Sequence, residues 1–96
     1  MYLEDLLKED VAIIDVRTPM EFMGGHVAGS INIPLNEIMS RVDELKEMAK
    51  PLVLCCASGN RSGQAAMALS QLGMKEVYNA GSWLTVNAVQ SQVQQS

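Results

Sequence analysis

The run 52-LVLCCASGNRSGQAAMALSQLG-73 passes from an apolar segment through a short polar loop into a helical pattern. Its first part, 52-LVLCC-56, is uniformly apolar and has the length of a strand buried on both faces. In 62-SGQAAMALSQL-72 small and apolar residues recur at helical spacing, and Gly73 follows as the expected C′ residue. The run therefore predicts a strand, a loop and a helix, with Ser62 as the N-cap of that helix.

The same alternation of strand and helix extends over the rest of the chain. Further strands are predicted at 11–16, 30–35 and 76–80, and further helices at 2–7, from Thr18-Pro19 through Phe22, at 36–49 and around Trp83. This order is typical of an α/β domain with a mainly parallel sheet and helices on both faces. We expect one domain over 1–96, in which the Gln- and Ser-rich segment 89–96 is a frayed polar tail.

Charge and composition narrow the class of partner. The 96 residues carry a net charge of −4, and the seven basic residues form no cluster, which argues against nucleic acid or an anionic membrane. No apolar run approaches the ~20 residues of a membrane span, and no signal peptide is visible. We read both cysteines as free thiols, which favours the cytoplasm; the alternative is an exported protein whose signal peptide has been removed.

The loop after 52–56 has the composition of an anion-binding nest. Ligands of parallel sheets sit beyond the carboxyl ends of the strands, where this loop lies. Helix 62–72 adds the positive end of its dipole, and Arg61 adds a cation. Small or turn-tolerant residues let successive backbone N–H groups point inward; they are Ala57, Ser58, Gly59 and Asn60. A cysteine at the mouth of such a loop is expected to have a lowered pKa.

Two cysteines compete for that position. Four residues separate Cys56 from Arg61, whereas five separate Cys55 from it. Because side chains alternate along a strand, Cys55 is expected to turn into the core and Cys56 to face the loop, so Cys56 is the predicted nucleophile. A metal site is not expected, since adjacent cysteines and the distant His26 do not have the spacing of zinc ligands.

Four motifs in order give the chain a resemblance to a known family. They are 15-DVR-17 followed by Glu21-Phe22, then 25-GHVAGSINIP-34, 56-CASGNRS-62 and 78-YNAGSW-83. Together they resemble the single-domain rhodaneses, a family of thiosulfate sulfurtransferase-like proteins. The resemblance implies a three-layer α/β domain and a sulfurtransferase without a cofactor.

The resemblance also implies a role for each residue of the site. Cys56 would accept sulfane sulfur from a small anionic donor such as thiosulfate, and its persulfide would pass to cyanide or to a thiol, including a protein thiol. Arg61 would orient the donor, and the backbone N–H groups from Ala57 to Ser62 would hold the terminal sulfur. A structural role near the site is implied for Asp15, Arg17 and His26.

Two alternatives belong to the same fold. Phosphatases related to rhodaneses have a loop one residue longer, and the spacing from Cys55 to Arg61 matches theirs. The second alternative is a persulfide carrier or binding module without free turnover. The loop also carries a single cation, Arg61, whereas the larger two-domain thiosulfate enzymes carry more.

Overall fold

The computed structural model of the protein describes residues 2–48 and 50–95. Over these residues it contains four strands, five α-helices and one 3-10 helix. In chain order they are α1 (Leu3–Leu7), β1 (Ala12–Asp15), α2 (Pro19–Met23), β2 (Ile31–Asn32), the 3-10 helix (Leu35–Arg41), α3 (Val42–Lys46), β3 (Leu52–Cys56), α4 (Asn60–Gln71), β4 (Val77–Ser82) and α5 (Trp83–Gln95).

The four strands form one parallel sheet in the order β2-β1-β3-β4. Asp15 at the end of β1 pairs with Asn32 on one side and with Cys55 on the other, and Cys56 pairs with Ser82. The carboxyl ends of β1, β3 and β4 therefore meet at one edge of the sheet, where the loop after Cys56 begins. The predicted α/β class with a parallel sheet is confirmed.

Helices cover both faces of the sheet, and β3 is buried between them. Alternate residues of β3 belong to two separate apolar clusters: Leu52, Leu54 and Cys56 to one, Val53 and Cys55 to the other. The first cluster includes side chains of the 3-10 helix, α3 and α4, and the second includes side chains of α1 and α5. All five residues of β3 are fully buried, as the uniformly apolar run predicted.

Two helix ends form as the sequence predicts. Thr18 and Glu21 make a reciprocal capping box at the start of α2, with Pro19 in the first turn. Gly73 has a left-handed φ of 90° after α4 and donates its N–H to the carbonyl of Ser70, while Met74 donates to Leu69. This pair of bonds is a Schellman motif, which satisfies the last carbonyls of the helix.

The predicted helix 36–49 is wrong in its form. The structure has the 3-10 helix Leu35–Arg41 followed by α3, and Arg41 at the junction has φ −118° and ψ 22°, outside helical values. Leu35 and Ile38 are three residues apart, a spacing that suits a 3-10 turn as well as an α-helix. Apolar spacing alone therefore did not reveal the break.

The start of α4 also differs from the prediction. The helix begins at Asn60 with Gly59 as its N-cap, so Ser62 lies inside the first turn and is not the N-cap. Gly59 has a φ of 102°, a left-handed conformation that glycine adopts at little cost. As a result, the loop after β3 is short, and the first N–H groups of α4 lie close to Cys56 at the end of β3.

Helix α5 covers much of the segment 89–96, for which the composition predicts a frayed polar tail. The helix continues through Gln95, and Ser96 lies outside the described residues. Val86 is fully buried, and the side-chain amide of Gln90 donates to the carbonyl of Ala28, so this helix is held to the rest of the fold. Within residues 2–48 and 50–95, no helix combines the length and apolarity that crossing a bilayer would need.

Candidate active site

The sulfur of Cys56 is the point on which the loop converges. Gly59 donates its backbone N–H to Cys56 Sγ at 2.9 Å, and the Ser62 hydroxyl lies 3.4 Å from the same sulfur. The backbone N–H groups of Ser58 and Ser62 also act to lower the pKa of this thiol. The loop and the first turn of α4 thus place N–H and O–H donors around this sulfur, and anion binding by this nest stays a prediction.

Opposing effects act on the pKa of Cys56, and their sum lowers it. Burial raises the pKa, but the hydrogen bonds from the Ser62 hydroxyl and from the N–H groups of Ser62, Gly59 and Ser58 outweigh burial. A thiolate is therefore stabilised at Cys56 without a histidine base. The side chain is fully buried beneath the loop.

Cys55 has the opposite character. Its side chain packs in the second apolar cluster, with Leu6, Val53 and Val86. Burial, together with the nearby charge of Asp15, raises the pKa of Cys55 to about 12. This thiol stays protonated at neutral pH and faces away from the loop donors. Although five residues separate Cys55 from Arg61, the hydrogen-bond donors of the loop surround the sulfur of Cys56 and not that of Cys55.

Ser62 connects Cys56 to the neighbouring strand. The Ser62 hydroxyl lies 2.7 Å from Asn79 Oδ1 and 3.2 Å from the carbonyl of Gly59, in addition to its contact with Cys56 Sγ. Asn79 Oδ1 also accepts the N–H of Gly81, which fixes the orientation of the amide. The motif 78-YNAGSW-83 contained Asn79, but only the adjacency of β3 and β4 gives it a position at the site.

An irregularity in β4 produces this arrangement. Leu54 pairs with Asn79, whereas Cys55 pairs with Gly81, so Ala80 is an extra residue in the pairing of the two strands. Gly81 adopts a left-handed φ of 84° there. Its Cα approaches Gly59 so closely that a Cβ added at Gly59 would lie 3.3 Å from it. Position 59 therefore favours glycine for two reasons: its backbone is left-handed, and a side chain there would crowd the backbone of Gly81.

Arg61 has a partner that the sequence did not reveal. Its two terminal nitrogens donate to the two carboxylate oxygens of Glu21 at 2.6 and 2.9 Å. The hydrogen bonds from Arg61 and from the backbone of Thr18 lower the pKa of Glu21 to about 2. In the sequence, Glu21 stood out only as part of the motif that follows 15-DVR-17. Its place at the site follows from the adjacency of β1 and β3, because α2 and α4 begin after neighbouring strand ends.

Asp15 and Arg17 form a buried pair beside the site. The Arg17 guanidinium donates to both oxygens of Asp15, with a shortest distance of 2.7 Å, and to the carbonyl of Gly25 at 2.6 Å. It also lies over the Trp83 ring, 4.6 Å from its centroid. Asn32 adds hydrogen bonds to the carbonyls of Asp15 and Arg17. These contacts tie β1 to the α2–β2 connection and to α5, and the structural role of Asp15 and Arg17 stays a prediction.

His26 lies on the exposed turn after α2. Its ring stacks on Phe22 with centroids 3.8 Å apart, and Nδ1 lies 2.8 Å from the Phe22 carbonyl. Since a carbonyl only accepts, Nδ1 carries the proton in this contact. His26 thus contacts Phe22 through both its ring face and Nδ1, and its structural role stays a prediction. The remaining predicted loop residues, Ala57 and Asn60, lie exposed beside the nest.

Known proteins are similar to this chain in sequence and in fold. A family model for the rhodanese-like domain matches residues 2–84. The uncharacterised protein YqhL of Bacillus subtilis (strain 168) is 46% identical over 67 residues, which are 70% of this chain and 52% of YqhL. The thiosulfate sulfurtransferase PspE of Escherichia coli (strain K12) is 41% identical over 69 residues, which are 71% of this chain and 66% of PspE.

A solved structure described as a rhodanese with anions from E. coli superposes with a TM-score of 0.70 at 37% identity, covering 77% of this chain and 88% of the other. With a parallel sheet, a cysteine-centred loop at its carboxyl edge and these matches, the chain belongs to the rhodanese-like domain family. The chain spans about half the length of YqhL and 66% of PspE.

Proposed function

We propose that the protein is a sulfurtransferase that moves sulfane sulfur from an anionic donor to a thiol or cyanide through a persulfide on Cys56. The observation that carries this proposal is the convergence of loop N–H groups and the Ser62 hydroxyl on Cys56 Sγ. Such donors stabilise a thiolate before transfer and a terminal persulfide sulfur after it. The name of PspE, a thiosulfate sulfurtransferase, supports the same chemistry.

In the first half-reaction, the Cys56 thiolate attacks the outer sulfur of thiosulfate. A new S–S bond forms to Cys56 Sγ while the S–S bond of thiosulfate breaks, and its electron pair leaves with sulfite. The products are the Cys56 persulfide anion and a sulfite dianion, so charge and electrons balance. No proton is transferred in this step, which fits a site without a base beside the nucleophile.

In the second half-reaction, a nucleophile attacks the outer sulfur of the persulfide. Cyanide is converted to thiocyanate, and a thiolate is converted to a persulfide. In both cases the S–S bond of the Cys56 persulfide breaks, and its electron pair stays on Cys56 Sγ, which becomes a thiolate again. The backbone N–H groups between Ala57 and Ser62 would hold the sulfur in the interval, and Arg61 would orient the anionic donor. We propose a protein thiol among the acceptors and, given two free thiols, the cytoplasm as the location.

The mass of the intact protein after incubation with thiosulfate tests the proposal. We expect a gain of about 32 Da that disappears with cyanide. Cys56→Ser should lose the gain completely, whereas Cys55→Ser, the matched neighbour, should keep it. A protein whose mass stays unchanged with thiosulfate and with other sulfane-sulfur donors would contradict the proposal.

The same pair of variants separates the two alternatives. A phosphatase using Cys55 would require Cys55→Ser, and not Cys56→Ser, to abolish hydrolysis of an aryl phosphate. A persulfide carrier would gain sulfur stoichiometrically but would not turn over with cyanide in excess. The raised pKa of Cys55 and its position in the opposite cluster favour the sulfurtransferase over the phosphatase.

A further inference from the structure

The cation of the active-site loop is already paired with an anion of the same chain. Arg61 and Glu21 meet through two hydrogen bonds, at 2.6 and 2.9 Å, and both side chains are about one-third exposed. A bidentate pair of this geometry is held more firmly than a single surface contact. The pair lies at the carboxyl edge of the sheet, where a donor must approach Cys56.

Glu21 is anchored independently of Arg61. Its Oε1 accepts the backbone N–H of Thr18 at 3.0 Å and the Thr18 hydroxyl at 3.1 Å. The capping box of α2 therefore fixes the carboxylate in place, and the lowered pKa of Glu21 keeps it ionised at neutral pH. A negative charge is thus held permanently against the loop arginine.

Charge at the loop follows from this pairing. Arg61 and Glu21 sum to zero, and a Cys56 thiolate makes the group singly negative. In the part of the chain that the structure describes, the other arginines are also in ion pairs, Arg17 with Asp15 and Arg41 with Glu37 and Glu44. An incoming dianion is therefore opposed more strongly than a monoanion of the same size.

We propose that Glu21 is a specificity-determining residue that screens Arg61 and so favours singly charged sulfur donors over the thiosulfate dianion. The inference rests on the proposed function, because it concerns donors to Cys56. The class of substrate it selects is a sulfane-sulfur monoanion, such as an alkyl persulfide or a thiosulfonate.

Two donors that differ by one charge test this directly. Thiosulfate is a dianion, and methanethiosulfonate is a monoanion in which a methyl group replaces one oxygen. With methanethiosulfonate, the Cys56 thiolate attacks the outer sulfur and methanesulfinate leaves with the electron pair of the broken S–S bond. The acceptor half-reaction is the same for both donors, so differences in kcat/KM report donor recognition.

Glu21→Gln removes the charge and keeps a carbonyl oxygen for hydrogen bonding. Near the protein surface, repulsion between Glu21 and each unit of donor charge should lower kcat/KM roughly threefold. Removing the Glu21 charge should therefore raise kcat/KM about threefold for methanethiosulfonate and on the order of tenfold for thiosulfate, which carries two charges. The change should lie in KM and not in kcat, and it should shrink as salt is raised.

Thr18→Val is the matched control. It removes the hydroxyl that supports the capping box but leaves the Glu21 carboxylate charged, so the ratio of the two donors should stay at the wild-type value. A purely structural role of Glu21 would instead make both variants lose activity with both donors in parallel.

The outcomes separate this inference from the proposed function. A thiosulfate-to-methanethiosulfonate ratio in Glu21→Gln equal to that of the wild type overturns the screening role, provided that Cys56 still gains sulfur. If neither donor adds a mass of about 32 Da to any variant, the sulfurtransferase proposal itself fails.

Discussion

Cys55 and Cys56 are adjacent in the chain but have opposite acid–base properties. Burial raises the pKa of Cys55 to about 12, whereas at Cys56 hydrogen bonds outweigh burial and lower the pKa. The difference does not come from exposure, since both side chains are fully buried. It comes from what surrounds each sulfur: apolar side chains and the charge of Asp15 at one, and N–H and O–H donors at the other.

The Ser62 hydroxyl should govern the pH at which Cys56 becomes reactive. Removing it in Ser62→Ala raises the pKa of Cys56, so the thiolate fraction falls at neutral pH and the reactivity profile moves to higher pH. We expect roughly a fivefold slower reaction with iodoacetamide at neutral pH, given ~1 kcal/mol for the hydrogen bond.

Peptide mass mapping of Cys56 alkylation over a range of pH measures this effect. Ser58→Ala is the control, because the exposed Ser58 contributes its backbone N–H, which alanine retains. Equal profiles for Ser62→Ala and the wild type would show that backbone donors alone set the pKa.

At the scale of the elements, the backbone of the connection from β3 to α4 is tightly constrained. It reverses direction within three residues, through Gly59 at φ 102°, and passes against Gly81 of the irregular strand β4. The loop therefore depends on two neighbouring elements at once. Because side chains alternate along β3, Cys56 and not Cys55 faces this loop.

Gly59→Ala should disturb the nest as well as the stability. A left-handed alanine costs about 1 kcal/mol, and its Cβ would lie 3.3 Å from Gly81 Cα. We expect the free energy of unfolding to fall by ~1–2 kcal/mol and sulfur transfer to slow by at least about tenfold.

Gly73→Ala provides a comparison with the same backbone demand. Gly73 has φ 90°, but apart from its chain neighbours no heavy atom of residues 2–48 and 50–95 would lie within 4 Å of a Cβ there. It should lose about 1 kcal/mol of stability and keep its transfer rate. Urea unfolding and steady-state kinetics on both variants measure the two effects, and equal loss of activity in both would contradict the role assigned to Gly59.

For the whole molecule, stability is divided between two apolar clusters on opposite faces of the sheet. The site lies at the edge where the two meet, with Cys56 in one cluster and Cys55 in the other. The donors to the Cys56 sulfur, which are Ser58, Gly59 and Ser62, do not belong to the cluster around α1 and α5. Substitutions in this cluster should therefore change the stability of the protein without changing the donors around Cys56.

Val86→Ala should weaken that second cluster. Val86 on α5 is fully buried, so deleting two methyl groups is expected to lower the free energy of unfolding by about 2 kcal/mol. Leu84→Ala on the same helix should change it by less than about 0.5 kcal/mol, because Leu84 is 60% exposed. Urea denaturation gives both values; similar losses for the two would mean that α5 does not pack as described.

Local sequence patterns were sufficient to predict individual strands and helices. Alternation along β3 separated Cys55 from Cys56, and the Thr18 and Gly73 signals placed two helix ends correctly. Pairings between distant residues left no local pattern, so Glu21 with Arg61, 40 residues apart, and Ser62 with Asn79, 17 apart, were not anticipated. The 3-10 helix was missed for a different reason, since its apolar spacing also fits an α-helix.

The adjacent thiols give this domain an internal chemical marker. A slip of β3 by one residue would turn Cys55 towards the loop donors and Cys56 into the opposite cluster, because every side chain would change faces. The identity of the cysteine that is alkylated first therefore reports whether the central strand is correctly paired. In redesigned variants, this readout would distinguish a native sheet from a misregistered one before any activity is measured.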